Sequence, residues 1–119
     1  MAFEKFIKTG GRIGTPKVSI WSRGQIGLNS CAIIRFGLDK YKYVILFYDK
    51  DDKKVGIKFI NDNTEEGAAK IVFRKAGGLS FSGVAFLHYY GIDYSETRKY
   101  DLEYDKENDL YVFGLLNII

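Results

Sequence analysis

An internal repeat constrains the fold of this chain more than any other feature of its sequence. The segments GQIGLNSCAIIRFGL (24–38) and GLSFSGVAFLHYYGI (78–92) share one plan. Each begins with alternating apolar residues and continues into a short apolar run that ends in Gly and an aliphatic residue. The match extends over about residues 17–60 and 68–116, with small slips where loops could absorb them. We therefore expect one structural unit to occur twice.

Hydrophobic periodicity predicts the same order of elements, ββαββ, in both copies. In the first copy the predicted elements are strands at 17–22 and 25–28, a helix capped by Asn29 or Ser30 and ended by Gly37, and hairpin strands at 41–48 and 54–60. In the second copy they are strands at 69–74 and 79–81, a helix over 84–90 capped by Ser82 and ended by Gly91, and hairpin strands at 98–104 and 110–115. One unit is too small to bury a core alone, so two copies should interleave. The predicted fold class is mainly β (α+β), an internally duplicated ββαββ barrel with two short helices and a pseudo-two-fold axis.

The sequence predicts a basic arm followed by one domain. Residues 1–16 hold Lys5, Lys8 and Arg12 among several glycines and form the predicted N-terminal arm. Residues 17–119 form the predicted single domain, which is made of the two repeats. Because the arm is basic and rich in glycine, we expect it to follow a phosphate backbone.

Charge is divided unevenly between the two halves of the chain. Residues 1–58 hold 12 Lys and Arg against 5 Asp and Glu, whereas residues 59–119 hold 6 against 10. A basic half is typical of a surface that meets nucleic acid or another anion. The same asymmetry is expected of two halves, or of two chains, that attract each other, so the composition leaves both interpretations open.

One cysteine and the lack of a long apolar run bear on the cellular location. Cys31 cannot form an internal disulfide, which favours a reducing compartment. The N-terminal stretch MAFEKFIKTGG has no continuous apolar segment, unlike a signal peptide. We expect a cytoplasmic protein with no membrane partner.

The order of elements in RGQIGLNSCAIIRFGL (23–38) and YVILFYDKDDKKVGIKF (43–59) resembles the AbrB-type swapped-hairpin fold. In that family two ββαββ units, usually from two chains, interlock into one small barrel. A chain with two copies resembles the MraZ-like arrangement, in which both units lie in one polypeptide. The resemblance implies a DNA-binding transcription regulator, and the uneven charge predicts a homo-oligomer in which the basic N-terminal half of one chain meets the acidic C-terminal half of another. The sequence departs from the DNA binders of that family at Gln25, where they typically carry Arg after the first glycine.

The segment GQIGLNS (24–30), followed by a helix, is also similar to the PC4 and Whirly single-strand-binding proteins. That resemblance implies that exposed aromatic and Lys side chains stack bases and hold phosphates. The predicted nucleic-acid-binding residues are Lys5, Lys8, Arg12, Lys17, Arg23 and Arg35 at phosphates, and Trp21 at a base or a groove.

No group of residues in the sequence predicts catalysis. His88 is the one histidine and Cys31 the one cysteine, so no metal site built from these ligands is expected. The acidic turns at 49–53 and 105–109 lack the spacing of a calcium loop. We predict a protein that is not an enzyme, with no cofactor and no bound metal. The remaining alternative to nucleic-acid binding is a protein–protein assembly module, in which the acidic half of one chain meets the basic half of another.

Overall fold

Antiparallel strands and two short helices make up the fold. The computed structural model describes residues 15–62, 66–75 and 77–118. The first half contains β1 (Lys17–Ile20), β2 (Gln25–Leu28), α1 (Ser30–Phe36), a 3-10 turn (Leu38–Lys40), β3 (Tyr43–Asp49) and β4 (Lys54–Ile60). The second half contains β5 (Ala69–Lys70), β6 (Val72–Phe73), β7 (Leu79–Ser82), α2 (Val84–Tyr89), β8 (Arg98–Asp101), β9 (Glu103–Asp105) and β10 (Leu110–Gly114). The prediction of a mainly β fold with two short helices is confirmed.

The strands are arranged in two antiparallel sheets of five strands each. The first sheet has the order β6-β7-β2-β1-β8, and the second has the order β5-β3-β4-β10-β9. Each sheet contains strands from both halves of the chain. In the first sheet β2 pairs with β7, and in the second β4 pairs with β10. The two halves therefore interleave instead of folding side by side.

Two strands that the sequence predicts as continuous are each divided between the sheets. The predicted strand at 69–74 becomes β5 and β6, which Ile71 separates, and the strand at 98–104 becomes β8 and β9, which Leu102 separates. Both linking residues are buried. At each of them the chain passes from one sheet to the other. Among the described residues the pairings are those of two sheets, and the predicted barrel is not found as one closed sheet.

The buried residues of both sheets and both helices form one hydrophobic cluster. Ile26 and Leu28 face this core, as the alternation in their strand predicts, and each is at most 3% exposed. The largest fully buried side chains are Phe113, Ile20, Ile26, Leu38, Ile57, Leu79 and Leu87. Because both halves contribute to one core, neither hairpin has a separate core of its own.

The helix α1 begins and ends as its sequence predicts. The side chain of Asn29 accepts a hydrogen bond from the backbone N–H of Ala32 at 3.0 Å, so Asn29 and not Ser30 is the N-cap. Gly37 ends the helix with a φ of 64°, a left-handed conformation that glycine adopts without a steric penalty.

The predicted cap of α2 is wrong. Ser82 is the last residue of β7, and the N-cap position belongs to Gly83, which has no side chain to accept a hydrogen bond. Close packing explains the glycine: a Cβ atom at this position would lie 2.5 Å from the Cδ1 atom of Ile26. The backbone N–H of Gly83 donates to the carbonyl oxygen of Gly24 at 2.9 Å, which joins the start of α2 to the β1–β2 turn.

The hairpins β3–β4 and β9–β10 end in turns of the same form. In each turn an Asp side chain accepts hydrogen bonds from the backbone N–H groups two and three positions later. The distances are 3.0 and 3.2 Å for Asp49, and 3.1 and 3.3 Å for Asp105. Each turn then closes with a left-handed residue, Lys53 with a φ of 52° or Asp109 with a φ of 53°. The two hairpin tips thus share a backbone but differ in charge.

Candidate nucleic-acid interface

Among the predicted phosphate contacts, Lys5, Lys8 and Arg12 lie outside the described residues, so these three stay predictions. Lys17 begins β1, and its ammonium group forms an ion pair with the Asp101 carboxylate at 2.6 Å. Because this carboxylate offsets the positive charge, Lys17 is a weaker phosphate ligand than its sequence context suggests.

The indole of Trp21 contacts Gly27 on the outer side of the first sheet. Its ring covers Gly27 so closely that a Cβ atom there would lie 2.2 Å from the ring. The guanidinium group of Arg74, in the β6–β7 turn, stands over the same ring at 4.9 Å from the centroid. Trp21 is half-buried, so part of its ring and the stacked cation remain accessible. The contacts with Gly27 and with the Arg74 guanidinium restrict the movement of the indole.

The sheet around Trp21 carries small and polar side chains on its outer face. Directly paired residues lie on one face of an antiparallel sheet. Ser19 pairs with Gly27 and with Lys99, and Gly27 pairs with Ser80. We call the surface formed by Ser19, Trp21, Gly27, Arg74 and Lys99 the Trp21 face; Ser80 lies in the same register but is buried. A sheet surface with an aromatic ring and cations is suited to the bases and phosphates of nucleic acid.

The other two predicted cations occupy different positions. Arg23 is exposed in the tight turn between β1 and β2, two residues after Trp21. Arg35 is exposed in the last turn of α1, at the opposite end of that helix from the cap Asn29. The two predicted cations therefore lie in different elements, and only Arg23 is in the turn that follows Trp21. Sequence reasoning missed Arg74 and Lys99, although the repeat does place Arg74 at the position that corresponds to Trp21.

A second candidate surface lies between the tip of the β3–β4 hairpin and the end of α2. Tyr48, Lys50, Lys53, Tyr89 and Tyr90 line a cleft of about 400 Å³, which we call the Tyr90 cleft. The ring of Tyr90 lies 4.7 Å from that of Tyr48 and 4.9 Å from that of Tyr89. Tyr89 is 81% exposed, so one face of this aromatic cluster is open to a ligand.

Two lysines line the Tyr90 cleft. The ammonium group of Lys50 lies 6.0 Å from the centroid of the Tyr90 ring, and Lys53 is exposed beside it. A neighbouring hollow shares Tyr90 and Lys53 and adds Arg98 and Asp93. A hydrogen bond from the backbone N–H of Ser95 is the largest cause that lowers the pKa of Asp93, with a side-chain hydrogen bond to the same residue next. Asp93 is therefore ionised and already hydrogen-bonded within its own turn.

The corresponding place at the other hairpin has a different surface. There Phe36 of α1 packs against Tyr111 at 4.8 Å, and Tyr104 packs against Tyr111 at 5.0 Å. The hydroxyl of Tyr104 donates a hydrogen bond to Asp109 at 2.5 Å. This bond is the largest cause that raises the pKa of Tyr104, whereas burial is the largest cause that raises the pKa of Tyr111.

The sequence drew attention to His88 because it is the one histidine. In the structure its Nε2 atom lies 2.9 Å from the hydroxyl of Tyr94, and the two groups share a hydrogen bond. Within residues 15–62, 66–75 and 77–118, no three His, Cys, Asp or Glu side chains are grouped as a metal site would require. In the same ranges neither helix has the length or the apolar character needed to cross a bilayer.

Comparison with known proteins found no family model, no curated protein and no solved structure that matches this chain.

Proposed function

We propose that this protein is a duplicated ββαββ unit of the AbrB and MraZ type that binds nucleic acid, with DNA as the first candidate, and that it is not an enzyme. The duplication is supported by the register of the strands. Ser19 pairs with Gly27 in the β1–β2 hairpin, and Val72 pairs with Ser80 at the corresponding positions of β6 and β7. Symmetric registers of this kind are expected when one unit occurs twice.

Pairings between the two halves support the same proposal. Ile26 pairs with Phe81, and their repeat counterparts Leu79 and Leu28 pair with each other. In the second sheet Val55 pairs with Phe113, and the counterparts of these residues, Tyr111 and Ile57, also pair. Both relations are those of a pseudo-two-fold axis between the halves. Under this proposal Ile71 and Leu102 are the two corners at which the sheets join into a barrel.

The observation that carries the binding function is the Trp21 face. It combines an indole ring in contact with Gly27 and Arg74, small polar neighbours and the exposed cation Lys99, and Arg23 is exposed in the turn that follows Trp21. Neutralising DNA phosphates releases counterions, so cations on such a face give affinity that falls as salt increases. The aromatic ring adds a stacking or groove contact that a purely charged surface lacks.

Charge reversal on this face is the test. The purified protein, Lys99→Glu and Arg74→Glu are compared for binding to labelled duplex and single-stranded DNA at two salt concentrations. We expect each substitution to weaken binding about tenfold at low salt and to reduce the salt slope by about one phosphate contact. Lys58→Glu is the matched control, because Lys58 is an exposed strand cation on the second sheet. The control should bind DNA as the unchanged protein does.

Two outcomes would contradict this proposal. If neither form of DNA binds at low salt, nucleic-acid binding is wrong. If Lys58→Glu weakens binding as much as Lys99→Glu does, the contact depends on net charge and not on the Trp21 face.

Self-assembly through strand pairing is the second candidate function. β6 carries Val72 at 57% and Phe73 at 45% exposure, and among the described residues it pairs with β7 alone. An exposed apolar edge strand is a template for pairing with another chain. Size-exclusion chromatography of the same samples without DNA separates the candidates: a defined oligomer with no DNA binding favours assembly.

A further inference from the structure

We propose that the Tyr90 cleft is a second binding site, and that its ligand is an unpaired nucleobase carrying a phosphate. The shared chemistry is a flat aromatic ring attached to an anion. A free mononucleotide and an unpaired nucleotide of a single strand both supply it. The proposal concerns a site that is separate from the Trp21 face, so it does not depend on duplex binding there.

The aromatic part of the cleft provides the stacking surface. Tyr89 and Tyr90 meet nearly at right angles, with an interplanar angle of 86°. The two rings therefore form a corner instead of covering each other. Tyr90 is supported from behind by Phe86 at 5.1 Å and by Tyr48 at 4.7 Å, which limits its movement. A base can stack on the exposed ring of Tyr89 while its edge meets Tyr90, and stacking of this kind accepts any base.

The charged part of the cleft provides the phosphate contact. Lys50 and Lys53 of the hairpin tip line the cleft, and the Lys50 ammonium group lies 6.0 Å from the centroid of the Tyr90 ring. The carboxylates of the same tip, Asp49, Asp51 and Asp52, are not among the residues that line the cleft. Arg98 in the adjoining hollow is offset by Glu96, whose carboxylate lies 3.9 Å from its guanidinium group, and by Asp93. The charged residues that line the cleft itself are thus both cations, which favours an anion.

The size of the cleft suits one nucleotide. Its volume of about 400 Å³ falls within the range of small-molecule sites and is far too small for a duplex. A base that is paired and stacked in a duplex cannot reach the ring of Tyr89 unless it leaves its helix, which costs unstacking energy. The cleft is therefore expected to favour unpaired bases.

Titration with two probes tests the proposal. Adenosine monophosphate and a short single-stranded oligothymidine are each added to the full chain, and the ring signals of the tyrosines are followed by NMR. We expect the Tyr89 and Tyr90 signals to shift. Tyr89→Ala should weaken binding at least about fivefold, and it should fold normally because Tyr89 is largely exposed. Lys50→Glu should weaken binding as well, whereas Lys106→Glu, the equivalent change on the other hairpin tip, should not.

The probes also identify the source of the ligand. If both probes bind with comparable affinity, the ligand is a free nucleotide. If the oligothymidine binds much more tightly, the ligand is a single strand. Either result supports the site. Lys99→Glu should leave the binding of adenosine monophosphate unchanged. The experiment therefore tests binding in the cleft independently of DNA binding at the Trp21 face. The proposal is overturned if neither probe shifts the tyrosine signals. It is also overturned if inorganic phosphate shifts them as strongly, or if Lys106→Glu is as damaging as Lys50→Glu.

Discussion

The two hairpin tips have the same backbone and opposite surfaces. Lys53 and Asp109 close their turns with φ angles of 52° and 53°, yet one is a cation and the other a carboxylate. Beside the first tip Tyr89 is exposed at the end of α2, whereas the corresponding residue of α1 is Arg35. The hydrogen-bond pattern that forms a turn restricts only a few positions. The remaining positions are free to differ, so the proposed cleft of tyrosines and lysines adjoins the first tip only.

The first prediction concerns the core residues of the two hairpins. We expect their substitution to lower the free energy of unfolding by similar amounts. Ile57 in β4 and Phe113 in β10 are corresponding residues, at 0% and 1% exposure. Ile57→Ala and Phe113→Ala should each lower the free energy of unfolding by about 3–4 kcal/mol, because each leaves a cavity in the shared core. Urea unfolding followed by circular dichroism measures both. A loss below about 1 kcal/mol for one of them would show that the hairpins contribute unequally to the core.

The second prediction compares the strained residue of each turn. Lys53→Gly should raise the free energy of unfolding by about 0.5–1 kcal/mol, because glycine adopts the left-handed conformation without the penalty of a side chain. Asp109→Gly relieves the same strain but removes the acceptor of the Tyr104 hydroxyl. Its gain should therefore be smaller than that of Lys53→Gly. Equal gains in the same unfolding experiment would mean that the Tyr104–Asp109 bond does not contribute.

The smallest expected effect is on the ionisation of Tyr104. The hydrogen bond to Asp109 raises its pKa, so the folded protein favours the neutral phenol. The stabilisation is thus present below the ordinary tyrosine pKa near 10 and is lost as the pH rises through the folded value. Asp109→Ala should lower the pKa of Tyr104 toward the ordinary value, as measured by NMR titration of the ring carbons. An unchanged titration would indicate that the bond is not formed in solution. Tyr100, whose pKa burial raises and which Asp109 does not influence, serves as the internal reference.

Several features could be predicted from the sequence because they depend on neighbours along the chain. The cap at Asn29, the helix end at Gly37 and the inward side chains of β2 follow from local hydrogen bonding, backbone freedom and alternation. The error at Ser82 has the opposite cause. Its sequence position suits a cap, but the close approach of Ile26 requires glycine at the next residue, and that contact comes from another strand.

For the candidate sites, too, some features follow from the sequence and others only from the tertiary structure. The sequence by itself determined the mainly β fold with two short helices and directed attention to Trp21 and Arg23, since all of these follow from patterns along one chain. Only the tertiary structure decided that Arg74 stands over Trp21, that Asp101 offsets Lys17, and that α2 lies beside the first hairpin. Each of these contacts joins residues from different halves of the chain. Periodicity and composition describe which face a residue occupies, but the partner across that face is set by how the two halves interleave.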